Sequence, residues 1–551
     1  MTVGRIRLLL GLMVLSVGLW TVFAKLVVPA VIESAYRGES WWFLNRMISG
    51  QATHPVSDYL QDWDSVAIRG LLGSLGFWLI VLVISHPAFS RWIVGEATPG
   101  SLGAIRMWTC TILLLVTLQE DLASIALLPV EMRRPTGMMQ YFYALPIGFD
   151  SIVTSEMTLQ AFQWLTELIL FLGAIGWRTR VMIPLGALCY LLFGGILRDY
   201  SNFYHSGLTS LYVIAVLSCT PCGDGWSVDR LRKVYQGKAV PDAEHTSPVY
   251  GWSRYACWVV IALPYVASGL SKLRDGGLYW WDATNMRSML YKDSLNPSEF
   301  DWALSLHLTS APDIVFALFG GVALIGEVSF GLVLFSRTAR RFLPLFMMIM
   351  HVGILLFQRI LFLDLILLQF VFFDFTRIRK AAGQLEAGNS TNHSPGTLVY
   401  TLNALMVCGL TLVMSYCWFY RTEFYPFSAM QMYAGMNTSG VIQYFKVLAH
   451  RNSGVISPAR LEDGIGALAH DSRYRRVLSQ CFEHNPQKDV DVCKRFLTVN
   501  ASAYNRKAPW GEKITQYEIQ LWRWDFRSNP SDPHYGKVVE RFVFEIERAE
   551  M

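Results

Sequence analysis

The stretch PDIVFALFGGVALIGEVSFGLVLF (residues 312–335) contains only two ionisable side chains, Asp313 and Glu327, in 24 residues. A helix needs about 20 mostly apolar residues to cross the hydrocarbon core of a bilayer. This stretch is long and apolar enough to do so, and we predict that it forms a transmembrane helix. Similar runs on both sides of it indicate a chain that crosses the membrane many times.

Eleven apolar runs of this kind occur in the first 420 residues. They lie near 8–31, 68–85, 105–128, 158–176, 180–197, 204–221, 252–271, 312–335, 341–358, 361–375 and 397–419. The first run follows Arg5 and Arg7, but it is longer than the apolar core of a typical signal peptide, so we interpret it as a retained helix. The ninth and tenth runs are short, and one broken helix or a re-entrant pair would also fit them. The sequence therefore predicts an all-α polytopic membrane bundle of about eleven transmembrane helices.

The distribution of charge separates this bundle from the C-terminal region. Of the 551 residues, 53% are hydrophobic and 16% are charged, whereas an average soluble domain is about 25% charged. Residues 421–551 hold 33 of the 89 charged side chains, and residues 1–420 hold the other 56. This composition excludes a chain of ordinary soluble domains, a disordered protein and a collagen-like protein.

The C-terminal region has patterns of its own. Residues 513–527 and 537–548 alternate between apolar and polar side chains, which predicts half-buried strands. Residues 458–483 and 490–505 are more typical of helices. We therefore expect a small C-terminal α+β domain after the last membrane helix.

Lysine and arginine in the short loops predict the orientation of the bundle, because these residues are enriched in cytoplasmic loops. With the N-terminus in the cytoplasm, the basic loops near 178–180, 230–238, 337–341 and 377–380 all fall inside. Eleven spans then place the C-terminal domain outside the cytoplasm, in the periplasm or the extracellular space. The extra spans and the absence of a strong eukaryotic targeting signal favour a bacterial inner membrane.

Cys481 and Cys493 are the only cysteines after residue 420. A disulfide between them is expected if this region lies in an oxidising compartment, and two free thiols are the alternative. The sequence predicts no metal site.

Ionisable side chains inside membrane spans are costly and usually face a cavity or a partner. Under the predicted topology, several of them gather toward the outer face, which indicates a polar cavity opening outward. They are Lys272, Arg198, Asp199, His205, His351 and Arg359. Glu327 is expected deeper, on the inner half of its span. Each residue also has a structural interpretation, since Lys272 could extend to the interface, Arg198 and Asp199 could pair, and His351 could be a core histidine.

Three ordered segments carry a resemblance to a known family. They are YHSGL (204–208) with DGWSVD (224–229), YVASGLSKL (265–273) with GLYWW (277–281), and GEVSFGLVLF (326–335) followed by His351. Together with LGAIR (102–106), they resemble the membrane domain of the vitamin K-dependent γ-carboxylase family and its bacterial relatives with the horizontally transferred transmembrane (HTTM) domain. The resemblance implies three regions: a two-helix N-terminal membrane extension (1–99), an HTTM-like domain (100–420) and the extracytoplasmic α+β domain (421–551).

The resemblance also implies a chemistry centred on Lys272. In the family, a lysine deprotonates a reduced quinone, whose reaction with O2 leads to removal of a γ-proton from a peptide glutamate and addition of CO2. The cofactor implied here is vitamin K hydroquinone or menaquinol. A lysine in water is protonated at neutral pH, so we expect an apolar site with few anions, which favours the neutral amine. His205 and His351 are expected to assist catalysis, and the expected quinone-binding residues are Tyr265, Trp280 and Trp281.

Other functions remain open. The same domain is similar to the membrane component that matures a bacterial sporulation-delaying toxin, and FYPFS (424–428) lies where a fused partner domain would begin. A non-enzymatic lipid or quinone binder, or a transporter, is a third possibility. The partners expected from these hypotheses are membrane lipids and a peptide or small protein on the outer side. The net charge of +5 gives no reason to expect nucleic acid.

Overall fold

The computed structural model describes residues 3–40, 55–84, 86–145, 148–201, 205–242, 246–298, 300–373, 390–391, 397–482 and 490–546. The chain forms two compact units, Met1–Gly95 and Glu96–Met551. The predicted basic loop near 377–380 lies outside the described residues.

The first unit is a pair of long helical segments. Helix α1 (Val3–Val22) continues through a π-helical turn (Phe23–Val27) into α2 (Val28–Tyr36), and α3 (Val56–Ile84) runs back along them. Trp78 Nε1 donates to Ser16 Oγ (2.6 Å) near one end of the pair, and Trp63 Nε1 donates to the Ala24 carbonyl (2.8 Å) further along. Large apolar side chains such as Val14 and Leu26 remain exposed on the outer faces, as expected of helices that face lipid.

The second unit contains the helices of the bundle and two C-terminal helices. The helices of the bundle are α4 (Pro99–Gln119), α5 (Met138–Ala144), α6 (Phe149–Val153), α7 (Glu156–Ile175), α8 (Thr179–Arg198), α9 (Leu208–Ser218), α10 (Val228–Tyr235), α11 (Pro248–Gly276), α12 (Ala283–Leu295), α13 (Asp313–Ser329), α14 (Ala339–Gln358), α15 (Leu363–Leu368) and α16 (Thr397–Tyr420). The C-terminal helices are α17 (Asp471–Phe482) and α18 (Val490–Asn505). Helix α11 is central, because it packs against α9, α13 and α16.

Nine helices in the described part of the chain are long and apolar enough to cross a membrane. Two shorter apolar helical segments, Leu208–Ser218 and Leu363–Phe372, occupy the positions of the sixth and tenth predicted spans. The protein is therefore a largely helical, multi-pass membrane protein.

The C-terminal region forms an antiparallel sheet of four strands in the order β4-β3-β5-β6. The strands are β3 (Val441–Arg451), β4 (Ile456–Pro458), β5 (Ile514–Asp525) and β6 (Lys537–Glu545), and a separate short parallel pair joins β1 (Val240–Pro241) to β2 (Ser390–Thr391). The two strands predicted after residue 513 are confirmed as β5 and β6, and the pattern missed β3. The helix expected over 458–483 is confirmed only for its second half, since 3₁₀ turns occupy Leu461–Asp463 and Gly466–Ala469.

The sheet region and the bundle are held together by polar contacts. Arg475 pairs with Asp293 in the last turn of α12 (2.6 Å), and the Phe445 amide of β3 donates to Asn296 Oδ1 (3.2 Å). Arg473 also pairs with Glu120, which follows α4. The bundle and residues 421–551 lie in the same compact unit, Glu96–Met551, and the division at residue 420 stays a prediction.

Candidate functional site

The centre of the candidate site is an ion pair between Lys272 on α11 and Glu327 on α13. Lys272 Nζ lies 2.8 Å and 2.6 Å from the two carboxylate oxygens of Glu327. The same ammonium donates to Ser268 Oγ at 2.8 Å, one helical turn before Lys272. Lys272 is 3% exposed and Glu327 is 7% exposed. All three ammonium protons therefore have an acceptor in a buried environment.

Two sequence expectations about this pair are wrong. Glu327 was expected on the inner half of its span and Lys272 at the outer end of its own, and Lys272 was expected to have few anions around it. The two residues meet because α11 and α13 pack antiparallel and very closely at Gly269. A Cβ atom at Gly269 would lie 2.9 Å from the Val328 amide nitrogen and 3.1 Å from the Glu327 Cβ, so a glycine allows this approach.

A second buried group surrounds Tyr265, two turns before Lys272 on α11. Gln369 Nε2 donates to the Tyr265 hydroxyl at 2.8 Å. The Tyr265 hydroxyl in turn lies 3.0 Å from His351 Nε2 on α14. Because the hydroxyl accepts from Gln369, its own proton is available to His351 Nε2, which places the histidine proton on Nδ1. His351 is 3% exposed and Gln369 is fully buried.

Some polar atoms of this region have no hydrogen-bond partner within the described residues. They are His351 Nδ1, Gln369 Oε1 and Asp364 Oδ1. The other carboxylate oxygen of Asp364 accepts from the Gly207 amide at 2.8 Å. Most buried polar groups in proteins are hydrogen-bonded, so these atoms give the core unused capacity to bind a polar group.

His205 is linked to the segment that follows the last membrane helix. Its Nε2 lies 2.9 Å from Ser428 Oγ, which also accepts from the Met430 amide at 2.9 Å. Tyr425 of the same segment is completely buried, and its hydroxyl donates to the Leu191 carbonyl at 2.6 Å. The FYPFS segment therefore folds back into the bundle, and His205 contacts it through Ser428.

Arg198 and Asp199 stabilise the turn after α8. Arg198 donates to the carbonyls of Gly194 (2.8 Å) and Ser206 (2.7 Å), and its guanidinium lies 5.0 Å from the centre of the Tyr425 ring. Asp199 accepts from the Tyr143 hydroxyl at 2.6 Å. These contacts connect the end of α8 to Ser206 and to α5.

The two predicted tryptophans differ in their surroundings. Trp280 is 3% exposed, and Lys272 Nζ lies 5.2 Å from the centre of its ring. Its indole nitrogen donates to the Tyr433 carbonyl at 2.7 Å. Trp281 instead packs against Gly321 on α13, where a Cβ would lie 3.1 Å from its ring. Trp280 therefore belongs to the environment of Lys272, and Trp281 to the contact between α12 and α13.

Arg359 lies outside this environment. It ends α14 with a positive φ of 61°, and its guanidinium donates to the carbonyls of Asp293 (2.9 Å) and Asn296 (2.5 Å). It therefore holds the loop after α12. Lys272, Glu327 and His351 are each less than a tenth exposed, and the outward-opening cavity stays a prediction.

The structure joins Cys481 to Cys493 in a disulfide, with a Cα–Cα distance of 5.7 Å. Within the described ranges, no group of three or more histidine, cysteine, aspartate or glutamate side chains could hold a metal ion.

Some residues of the site were missed at the sequence level. Ser268 lies four residues before Lys272, a spacing that places both on one helix face. Gln369 is a polar residue inside the apolar run LILLQFVFF. Ser268 and Gln369 could therefore have been predicted from the sequence, whereas nothing in the sequence indicates that Ser428 contacts His205.

The chain matches no family model, no curated protein and no solved structure. The site is therefore interpreted from its own geometry.

Proposed function

We propose that this chain is a membrane enzyme similar to the vitamin K-dependent γ-carboxylases, which couples oxidation of a quinol by O2 to proton removal from a peptide substrate, followed by carboxylation or a related modification. The observation that carries the proposal is the buried Lys272–Glu327 pair beside Trp280. Ionisable groups inside a membrane bundle are costly, so those that occur there usually have a function.

Lys272 and Glu327 together can handle a proton. An ammonium that carries all three of its protons cannot act as a base. Transfer of one proton from Nζ to the adjacent carboxylate leaves a neutral amine and a neutral acid, and a low dielectric favours neutral groups over separated charges. The neutral amine can then accept a proton from a bound acid. In this proposal, Glu327 is a positioning residue that accepts a proton from Lys272 and so leaves the amine neutral.

The residues around Tyr265 fit a quinol. A quinol ring requires apolar neighbours, and here Phe330 packs against Tyr265 (ring centres 4.6 Å apart) and Phe362 against His351 (5.6 Å). The quinol oxygens require hydrogen-bonding atoms, and His351 Nδ1 and Gln369 Oε1 are buried without a partner in the described part of the chain. A bound quinol supplies the reducing equivalents for O2. His351, Tyr265 and Gln369 orient it, and the surrounding aromatic rings exclude water.

The orientation of the chain belongs to the same proposal. Eleven spans with the N-terminus in the cytoplasm place the sheet on the outer face of a bacterial inner membrane. The basic loops near 178–180, 230–238 and 337–341 support this orientation. Reaction with cysteine-directed, membrane-impermeant labels at single cysteines in these loops tests it.

The enzymatic proposal is tested with the purified full chain, a reduced menaquinone or vitamin K, O2, labelled bicarbonate and glutamate-containing peptides. We expect oxidation of the quinol, with Lys272→Ala inactive and Glu327→Gln strongly impaired. Lys238→Ala is the matched control, because it removes an exposed lysine in the loop after α10, and this variant should remain active. Failure of every quinol to be oxidised would overturn the proposal.

A second candidate function is maturation of a secreted peptide, with the C-terminal region acting as a partner fused to the membrane domain. The observation that favours it is the burial of the FYPFS segment in the bundle, where Tyr212 donates to the Pro426 carbonyl at 2.7 Å. Processing of a co-expressed secreted peptide in cells depleted of quinone would support this candidate over the quinol-dependent enzyme.

A further inference from the structure

A solvent-facing cleft lies between α12 and the first half of β3. We call it the α12–sheet cleft; its volume is about 790 Å³, and its lining includes Ser288, Lys292, Asp293, Tyr433, Arg475 and Arg523. Pockets of about 300–1,000 Å³ hold ligands of drug size. The cleft is therefore too large for a single carboxylate and large enough for a short stretch of extended peptide.

The charges of the cleft favour an anionic ligand. Asp293 is the one acidic residue among those that line the cleft, and Arg475 donates to Asp293 Oδ1 at 2.6 Å. Lys292 and Arg523 form no ion pair with any residue that the structure describes. The lining thus carries three positive charges and one negative charge on the walls of one concave surface. A cleft lined by one sign of charge raises the local concentration of ligands of the opposite sign.

A buried hydroxyl in the wall provides a second, independent indication. Ser288 is 4% exposed, and its Oγ has no hydrogen-bond partner in the described ranges. Buried hydroxyls are normally paired. A ligand that reaches this wall would supply the missing partner, and a peptide offers both backbone and carboxylate groups for it.

The cleft is adjacent to the Lys272 environment. Tyr433 lines the cleft, and its carbonyl accepts the indole proton of Trp280 at 2.7 Å. Lys272 Nζ lies 5.2 Å from the centre of the same Trp280 ring. Trp280 therefore contacts both a residue that lines the cleft and the buried ammonium.

We propose that the α12–sheet cleft binds an extended peptide segment that carries carboxylate side chains, through Lys292 and Arg523, and presents it beside Trp280. That the bound peptide is the substrate of the enzyme rests on the proposed function. The binding itself requires neither a quinol nor Lys272.

The test measures binding of a short fluorescent peptide, in which glutamate alternates with small residues, to the full chain in detergent by fluorescence anisotropy. We expect the glutamate peptide to bind, and its glutamine counterpart to bind at least about tenfold more weakly, a ratio typical of one well-placed charge contact. Lys292→Glu and Arg523→Glu should each weaken the glutamate peptide by about tenfold. Arg541→Glu is the matched control, because Arg541 is exposed on β6 and does not line the cleft, and it should bind as the wild type does.

The opposite results overturn the proposal. Equal binding of the glutamate and glutamine peptides, or unchanged binding in the Lys292→Glu/Arg523→Glu double variant, would show that the cleft does not recognise carboxylates. Displacement of the peptide by free glutarate at the peptide's own affinity would show a small-carboxylate site instead of a peptide site. Lys272→Ala should bind the peptide normally, so that failure of the catalytic proposal and failure of this one give different results.

Discussion

Lys272 and Glu327, 55 residues apart in sequence, form a buried ion pair in which Lys272 Nζ lies within 2.8 Å of both carboxylate oxygens. Removing one partner of a buried pair leaves an uncompensated charge, which is strongly destabilising, whereas replacing both by apolar residues is often neutral. Single and double variants of this pair can therefore distinguish its contribution to the stability of the fold from its contribution to catalysis.

Glu327→Leu is expected to lower the free energy of unfolding by about 3–5 kcal/mol, because it leaves the Lys272 ammonium buried without its counter-charge. The double variant Lys272→Met/Glu327→Leu should recover most of that loss. Guanidinium denaturation of the protein in mild detergent measures both values. A double variant that is folded but inactive would assign a chemical role to the pair, and one that is as unstable as Glu327→Leu would contradict this account of the contact.

Tyr265→Phe should impair quinol use more than it impairs folding. The change removes the donor to His351 Nε2 and the acceptor of Gln369 Nε2, and unsatisfied buried groups cost about 1–3 kcal/mol. We expect a higher KM for the quinol with the protein still folded, as judged by kinetics and thermal unfolding. Tyr416→Phe is the control, since Tyr416 is 52% exposed on α16. Equal KM values for the two variants would remove Tyr265 from the quinol site.

The stability of the folded chain should depend on the protonation of Glu423, just after α16. Burial raises the pKa of Glu423 from its ordinary value to about 7. The folded state therefore holds this proton at a pH where the unfolded state has lost it, and the stability it contributes is full below about pH 4 and falls as the pH rises through about 7. Glu423→Gln should remove that decline.

Thermal unfolding of the wild type and Glu423→Gln across this pH range checks the prediction. The gap between their melting temperatures should widen in favour of the variant as the pH rises. Glu512→Gln, at an exposed turn before β5, is the control and should track the wild type. A gap that stays constant with pH would show that Glu423 does not titrate in this range.

The disulfide should stabilise the region around α17 and α18. Cys481 and Cys493 are 12 residues apart, and closing a loop of about that length contributes about 3 kcal/mol in the chain-entropy view. The Cys481→Ser/Cys493→Ser variant should therefore melt at a lower temperature than the wild type. A reducing agent should lower the melting temperature of the wild type to that of the variant and leave the variant unchanged. Cys408→Ser, which removes a free thiol on α16, should respond to the reductant as the wild type does.

The sequence by itself determined the class of protein and many of its elements. Long apolar runs such as 312–335 indicate membrane helices because a bilayer requires that length and polarity. The alternation at 513–527 and 537–548 indicates β5 and β6 because a strand places successive side chains on opposite faces. Lys272 on α11 could likewise be chosen from sequence, since ionisable groups in apolar helices are rare, whereas Tyr265 was chosen through the family resemblance.

Only the tertiary structure decided which of these polar groups meet. Membrane helices all show similar apolar patterns, so the pattern does not specify their neighbours or their relative stagger. The close approach at Gly269 brings Glu327 to Lys272, and the return of the FYPFS segment brings Ser428 to His205. The tertiary structure also places the Arg359 guanidinium against the carbonyls of Asp293 and Asn296, at the end of α12. The type of side chain determines the free-energy cost of burying a charge. Helix packing determines which partner lies close enough to offset that cost.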